Sequence, residues 1–288
     1  AAVRLLGVGV HPTMKKEKRL VNKVKRLIRK AGLPRQLHRY GPKKYELWQH
    51  LLALLVKQEC KLSFRRTSNL LNDLGLEVPT YSALAKFAYR MPVEIWQTLL
   101  AVTANIKVRI AAIDSTGMSR ALPSPYYYKR IDKPYPVDIP LKVSLAVDTR
   151  SKRILALRTR AKKAHDIRDA KYLVSRFASL PCKIVADTAY DSEKFYEFLW
   201  DNKIVPIVKI RKNAFRGFVR HKVKKNFSKG IYNRRSIIES VIFSVKRKFG
   251  ASVSSLKFSA QRAEMYCRAI AHNTILCFIG DFQLDPMV

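Results

Sequence analysis

Hydrophobic positions change period near residue 107. From Lys15 to about Lys107 apolar residues recur at the three-to-four spacing that turns one face of a helix toward a core. Lys15–Lys30 is predicted as a helix with Leu20, Val21, Val24 and Leu27 set among nine lysines and arginines. Gly32, Pro34, Gly41 and Pro42 punctuate the loop that follows. Tyr45–Cys60 is the next helix, expected to bury Leu47, Trp48, Leu51, Leu52, Leu54 and Leu55. Ser63–Leu74 and Tyr81–Met91 make a helix-turn-helix candidate over about 63–91, with Gly75 ending the first helix and Thr80 placed to cap the second. Beyond residue 107 short apolar runs predict strands at Val108–Ile113, Leu141–Val147, Arg153–Leu157, Lys183–Ala186 and Ile204–Ile210. The second and third flank the polar stretch Asp148–Lys152 and read as a hairpin. Helices are expected over Asp166–Leu180, over Ser192–Asn202 with Asp191 or Ser192 as cap, and over Asn233–Phe249. This succession predicts an α/β domain with a mixed sheet over 107–288, preceded by an all-helical domain over 1–106.

Charge adds a partner to this picture. The 288 residues carry 57 Lys+Arg against 21 Asp+Glu, a net charge of +36, while 48% of them are hydrophobic. The chain can therefore bury a core, and its self-repulsion is best relieved by a polyanion, nucleic acid before an anionic membrane. No apolar run reaches the roughly 18 residues of a membrane span. The apolar opening Ala1–Val10 leads into basic sequence without a cleavage site, so no signal peptide is expected; residues before Met14 read as upstream sequence. Cys60, Cys182, Cys267 and Cys277 form no CxxC pair, which points to reduced thiols and not to a zinc site. In the helix-turn-helix candidate, Arg65, Arg66, Lys86 and Arg90 are placed for phosphates, and Tyr81 and Ser82 open the helix that would enter the major groove.

Three acids stand out against this basic background. Asp114 and Asp187 each close a predicted strand, where a rigid backbone could deliver a carboxylate to a sheet edge. Glu239 is the first acid after Asp201, and Lys209–Lys229 between them carries nine Lys/Arg. At about 100° per residue, Tyr232, Arg235, Glu239 and Lys246 fall in a stripe roughly 60° wide, apart from the apolar stripe of Ile237, Ile238, Val241, Ile242, Val245 and Phe249. Converging carboxylates on separate elements are what hard divalent cations require, and two such ions can clamp the attacking and leaving oxygens of a phosphodiester.

Tyr232-x2-Arg235-x3-Glu239-x6-Lys246 resembles the Tyr-Arg-Glu-Lys signature of insertion-sequence transposases of the DDE type. Asp114-Ser115-Thr116 and Asp187-x2-Tyr190-Asp191-Ser192 are similar to the first two acidic motifs of that family, and His165-Asp166 and His272-Asn273 also look like it. The likeness covers roughly 105–280. It implies a ribonuclease-H-like catalytic domain in which Asp114, Asp187 and Glu239 hold two Mg²⁺ ions, with Mn²⁺ able to substitute. Tyr232, Arg235 and Lys246 would contact DNA near the scissile phosphate. Such enzymes nick element ends and join the freed 3′-hydroxyl to target DNA, working as homodimers on paired ends in the cytoplasm of a prokaryote, on its nucleoid and away from membranes. Only Arg211–Ile231 fills the gap where some members carry a large insertion. A ribonuclease-H-like nuclease without strand transfer, and an inactive remnant that only binds DNA, are the alternatives.

Overall fold

A computed structural model of the chain describes residues 12–282 except 38, 39, 41, 42, 105, 106, 122, 123, 135–138, 178, 179, 212, 213 and 215. The expectations about Ala1–Val10 lie outside the described residues. Helices come first: α1 (Pro12–Lys30), α2 (Leu47–Glu59), α3 (Phe64–Asp73), α4 (Tyr81–Arg90) and α5 (Val93–Thr103). Then follow β1 (Ile110–Arg120), α6 (Pro125–Arg130), β2 (Leu141–Asp148), β3 (Ile154–Arg160), α7 (Ile167–Val174), β4 (Lys183–Ala186), α8 (Glu193–Asp201) and β5 (Val205–Val208). The chain continues through α9 (Phe218–Lys225), α10 (Lys229–Tyr232), α11 (Ser236–Phe249), β6 (Ser252–Val253) and α12 (Phe258–Phe282).

The strands assemble in the order β3-β2-β1-β4-β5, with β6 beside the far end of β1. β1, β2 and β3 are antiparallel neighbours, whereas β4 and β5 run parallel to β1. This is the mixed sheet that the strand pattern predicts, and it suits the ribonuclease-H-like domain that the family likeness implies. Asp148 accepts from the amide and hydroxyl of Ser151 at 2.7 and 2.6 Å, closing the β2–β3 turn. Alternation along β1 serves two layers. Ala111 and Ile113 pack with Leu173, Phe195 and Leu199 on the α7–α8 side, and Ala112 and Met118 pack with Ile238, Val241 and Met265 on the α11–α12 side.

Several sequence expectations shift. β1 runs on past Asp114 to Arg120, because β2 keeps pairing with it as far as Met118, so Asp114 lies inside a strand instead of closing one. The helix of 166–180 spans only Ile167–Val174. Thr80 occupies the N-cap of α4 without capping it; its hydroxyl lies 3.4 Å from that of Ser82.

The change of texture near residue 107 is a change of secondary structure through which the apolar core continues. Leu51, Trp96 and Leu99 from the leading helices share one cluster with Leu141 and Val143 of β2 and Tyr266 and Ile270 of α12. Trp96 stacks on Tyr266 with ring centroids 6.4 Å apart. Asn273 fastens the same seam, accepting from the Ile154 amide at 2.8 Å and donating to the Ile154 carbonyl at 2.8 Å and the Thr103 hydroxyl at 3.0 Å. Beside it buried His272 lies 3.2 Å from the Lys152 carbonyl, with its pKa lowered chiefly by burial. Among the described residues no helix is long and apolar enough to cross a membrane. Asn273→Ala removes every one of these amide contacts from a buried edge and is expected to cost about 2–4 kcal/mol, measured by urea unfolding.

Candidate active site

The sheet brings the first two acids together by register. In the parallel ladder Ile113 pairs with Ala186, so Asp114 and Asp187 each stand one residue beyond the last pair. There β4 ends, and residues 188–190 turn into a short 3₁₀ segment while β1 continues against β2 as far as Met118. Each carboxylate accepts the amide of the residue after it, Ser115 at 2.8 Å and Thr188 at 2.7 Å. Burial pushes the Asp114 carboxyl above its ordinary pKa. The Ser115 amide and Arg235 oppose the shift, and the charges of Asp166 and Asp187 add to it.

Glu239 arrives from the other direction. Its helix is shorter than predicted, because residues 233–235 are 3₁₀ and α11 begins at Ser236. Ile238, Val241, Val245 and Phe249 are buried as the apolar stripe requires, and α11 lies across β1. Glu239 therefore stands in the first turn with its side chain half exposed. Arg235 links the set: the same guanidinium nitrogen is 2.7 Å from Glu239 Oε1 and 3.7 Å from Asp114 Oδ2. These two carboxylate oxygens thus lie no further apart than the sum of those distances. Tyr232 stands close to Asp187 and Arg235, and burial, with the Asp187 charge, raises its pKa. Lys246, seven residues on from Glu239, falls on the same side of α11 and is partly exposed.

As placed, no group of three His, Cys, Asp or Glu side chains among the described residues closes tightly enough to hold a metal ion. The reason is visible in Arg235, a cation already set between acids. Oxygen-only donors from three elements facing one positive charge have the chemistry a hard divalent ion needs, provided the guanidinium swings aside. The residues fit such an ion.

Of the predicted DNA contacts in the helix-turn-helix, Arg65, Arg66, Tyr81, Ser82, Lys86 and Arg90 are all exposed. α3 and α4 pack through Leu71, Val78 and Leu84, and Gly75 takes the left-handed φ of 74° that the tight turn between them needs. Arg65 lies over the Tyr81 ring at 4.9 Å.

Sequence reasoning missed buried Asp169 and the partners of the other acids behind the site. Asp169 is fully buried, paired with Arg160 at 2.7 Å and Arg158 at 3.2 Å, and accepts the Ser144 hydroxyl at 2.9 Å. Asp166 pairs with Lys142 at 2.5 Å. Asp191, expected as a helix cap, instead accepts from Tyr196 at 3.0 Å, the Arg211 amide at 3.0 Å and Arg220 at 2.9 Å. Glu193 receives the Val219 and Arg220 amides at 2.7 and 3.2 Å, fixing the start of α9. A Cβ on Gly217 would lie 2.3 Å from the Glu193 carboxylate, so only glycine fits there. A helical phase that turned Asp169 inward beside two arginines was the one available signal.

The model of the family described as "Transposase DDE domain" matches residues 107–274, the stretch that carries the sheet, Asp114, Asp187 and Glu239. The chain belongs to the DDE transposase family. No curated protein matches the transposase in sequence. Among solved structures it is similar to a piggyBac transposase synaptic complex with hairpin DNA, at 12% identity over 92% of this chain and 73% of that one, TM-score 0.48. It is also similar to a Drosophila P element transposase strand transfer complex, at 11% identity over 88% and 70%, TM-score 0.33. Family membership rests on the match over 107–274.

The raised pKa of Asp114 has a consequence for the metal-free transposase. Between the ordinary carboxylate pKa and the higher native one, the native state binds more protons than the unfolded chain, so this residue's contribution to stability falls as pH rises through that window. Asp114→Asn is expected to raise metal-free stability above the window by on the order of 1 kcal/mol, a gain of the kind seen when function is traded for stability, and to flatten that pH dependence in urea melts.

Proposed function

We propose that this transposase cuts DNA at the ends of its element with Asp114, Asp187 and Glu239 holding two Mg²⁺ ions, which Mn²⁺ can replace, and joins the freed 3′-hydroxyl to target DNA. The observation that carries this reading is the single guanidinium of Arg235 set between Asp114 and Glu239, with Asp187 one step from Asp114 across the ladder. Bound there, the ions would lower the pKa of a water and neutralise charge on the phosphate. The chain's own part is positional. The Ser115 and Thr188 amides aim the two aspartates, and α11 holds Glu239 opposite them. Arg235, released by the ions, would pair with a phosphate oxygen, and Tyr232 and Lys246 would hold the strand beside it. In the first step a P–O bond to the 3′ oxygen breaks as water adds; in the second the 3′-hydroxyl takes the place of that water.

Residues 1–106 are proposed as the part that recognises the element ends, through the helix-turn-helix of 63–91 with Tyr81 and Ser82 toward the bases. A second cationic surface is α9, where His221, Lys222, Lys224 and Lys225 are exposed in a stretch without an acid from Asn202 to Ile238. Phe227 packs on Tyr232 at 5.3 Å between ring centroids, which joins this surface to the acids. Both surfaces suit double-stranded DNA. Pairing of two ends calls for a homodimer, acting on the nucleoid of a prokaryotic cell.

A supercoiled plasmid bearing the cognate ends tests the proposal. Asp114→Asn, Asp187→Asn and Glu239→Gln should each reduce cleavage and joining by about a thousandfold or more while end binding persists, since the amide keeps shape and loses the charge that holds the ions. Cleavage in EDTA, or by any of these variants at the wild-type rate, would refute it. Cleaved but unjoined product would leave a nuclease, and binding alone a remnant. Separately, the double variant Lys86→Ala, Arg90→Ala should weaken end binding and reduce the slope of log K against log salt by about 1 to 2, read by fluorescence anisotropy at several salt concentrations.

A further inference from the structure

A chain of hydroxyls crosses the sheet behind the acids. Tyr190 Oη lies 3.2 Å from Ser115 Oγ, Ser115 Oγ lies 2.9 Å from Ser144 Oγ, and Ser144 donates to Asp169 at 2.9 Å. Proton count sets its direction. A carboxylate paired with Arg158 and Arg160 only accepts, so Ser144 spends its one proton on Asp169. Ser115 must then donate to Ser144, and Tyr190 to Ser115. Tyr190 is wholly buried and burial drives its phenol pKa far upward, so the donor stays protonated.

The first two members of this chain adjoin the two aspartates. Ser115 follows Asp114 and gives it an amide; Tyr190 closes the 3₁₀ segment whose first residue, Thr188, gives an amide to Asp187. The parallel pairing of β1 with β4 stops at Ile113–Ala186, which leaves a gap between Ser115 and the 3₁₀ segment. The Tyr190–Ser115 contact is the tie that spans this gap. We propose that Tyr190 and Ser115 are positioning residues which, anchored by Ser144 and Asp169, set the separation of the Asp114 and Asp187 carboxylates and so the affinity of the site for its divalent ions. The proposal rests on the metal-dependent reading above. Neither hydroxyl is given any contact with DNA or metal. The effect should therefore appear in metal affinity and not in the rate at saturating metal.

Tyr190→Phe keeps the ring in the core and removes only the hydroxyl; Ser115→Ala removes the other side, and Ser115→Thr restores a hydroxyl. Binding of Mn²⁺ to the full chain without DNA is followed by the electron paramagnetic resonance of free Mn²⁺, and plasmid cleavage is followed against Mn²⁺ concentration. Tyr190→Phe and Ser115→Ala should each raise the half-saturating and half-activating Mn²⁺ by about tenfold or more, as outer-layer changes at metal sites do. Cleavage at saturating Mn²⁺ should return to roughly the wild-type rate, the urea midpoint of Tyr190→Phe should stay close to wild type, and the double variant should be no worse than the poorer single one. Wild-type Mn²⁺ dependence in Tyr190→Phe, or a loss of cleavage that saturating Mn²⁺ does not recover, overturns the positioning role. If Mn²⁺ binding by the wild-type chain ignores Asp114→Asn, the metal site itself falls and the positioning role with it; if it responds to Asp114→Asn but not to Tyr190→Phe, only the positioning role falls.

Discussion

Like charges resist being brought together in a partly dry place, and the catalytic half of this molecule is organised around overcoming that resistance. Asp114 and Asp187 stand one residue past the end of a parallel ladder, and Glu239 faces them from α11. The compensation is local and layered. An amide from the next residue steadies each aspartate, the Arg235 guanidinium sits between Asp114 and Glu239, and an excess of 36 positive charges surrounds them. A carboxylate whose native pKa is raised is one that the fold holds in place at some cost to its own stability.

That cost is met by rigid neighbours. β4 and β5 are only four residues each, yet both are mostly buried because parallel strands are covered on two faces. α11 is pinned by four buried apolar residues and cannot roll without exposing them. Acids spent on structure do the remaining work. Asp169, Asp191 and Glu193 hold arginines, hydroxyls and the start of α9, so several of the 21 acidic side chains in this basic protein serve architecture beside the site.

The strands of the mixed sheet were legible because period-two alternation and continuous apolar runs are strong signals, and β4 was readable to the residue; their order was not. The length of β1 was not legible. Residues 114–117, Asp-Ser-Thr-Gly, look like a turn, and only the antiparallel partner β2 keeps them extended. The stripe of Tyr232, Arg235 and Glu239 was legible from spacing, and the contact of Arg235 with Glu239 follows from it; the 3₁₀ turn that precedes α11 was not. Buried polar residues were the least visible. Ser144 and Asp169 sit 25 positions apart, and nothing in one chain's sequence says that an interior serine will meet an interior aspartate. Asp191 looked like a cap for the same reason: its real partners, Arg211 and Arg220, are brought to it by the path of the chain after β5.

The core shared across residue 107 constrains how such a protein can change its DNA preference. A recognition segment joined by a linker can be exchanged whole between relatives, as one swaps a tool head. Here Leu51, Trp96 and Leu99 are part of the same packed interior as β2 and α12, so a foreign helical segment would have to match dozens of side-chain volumes at once. On the proposal that α4 reads the element ends, new specificity would be reached by substitution on its outer face, where Tyr81, Ser82, Lys86 and Arg90 are exposed on a frame that stays in place.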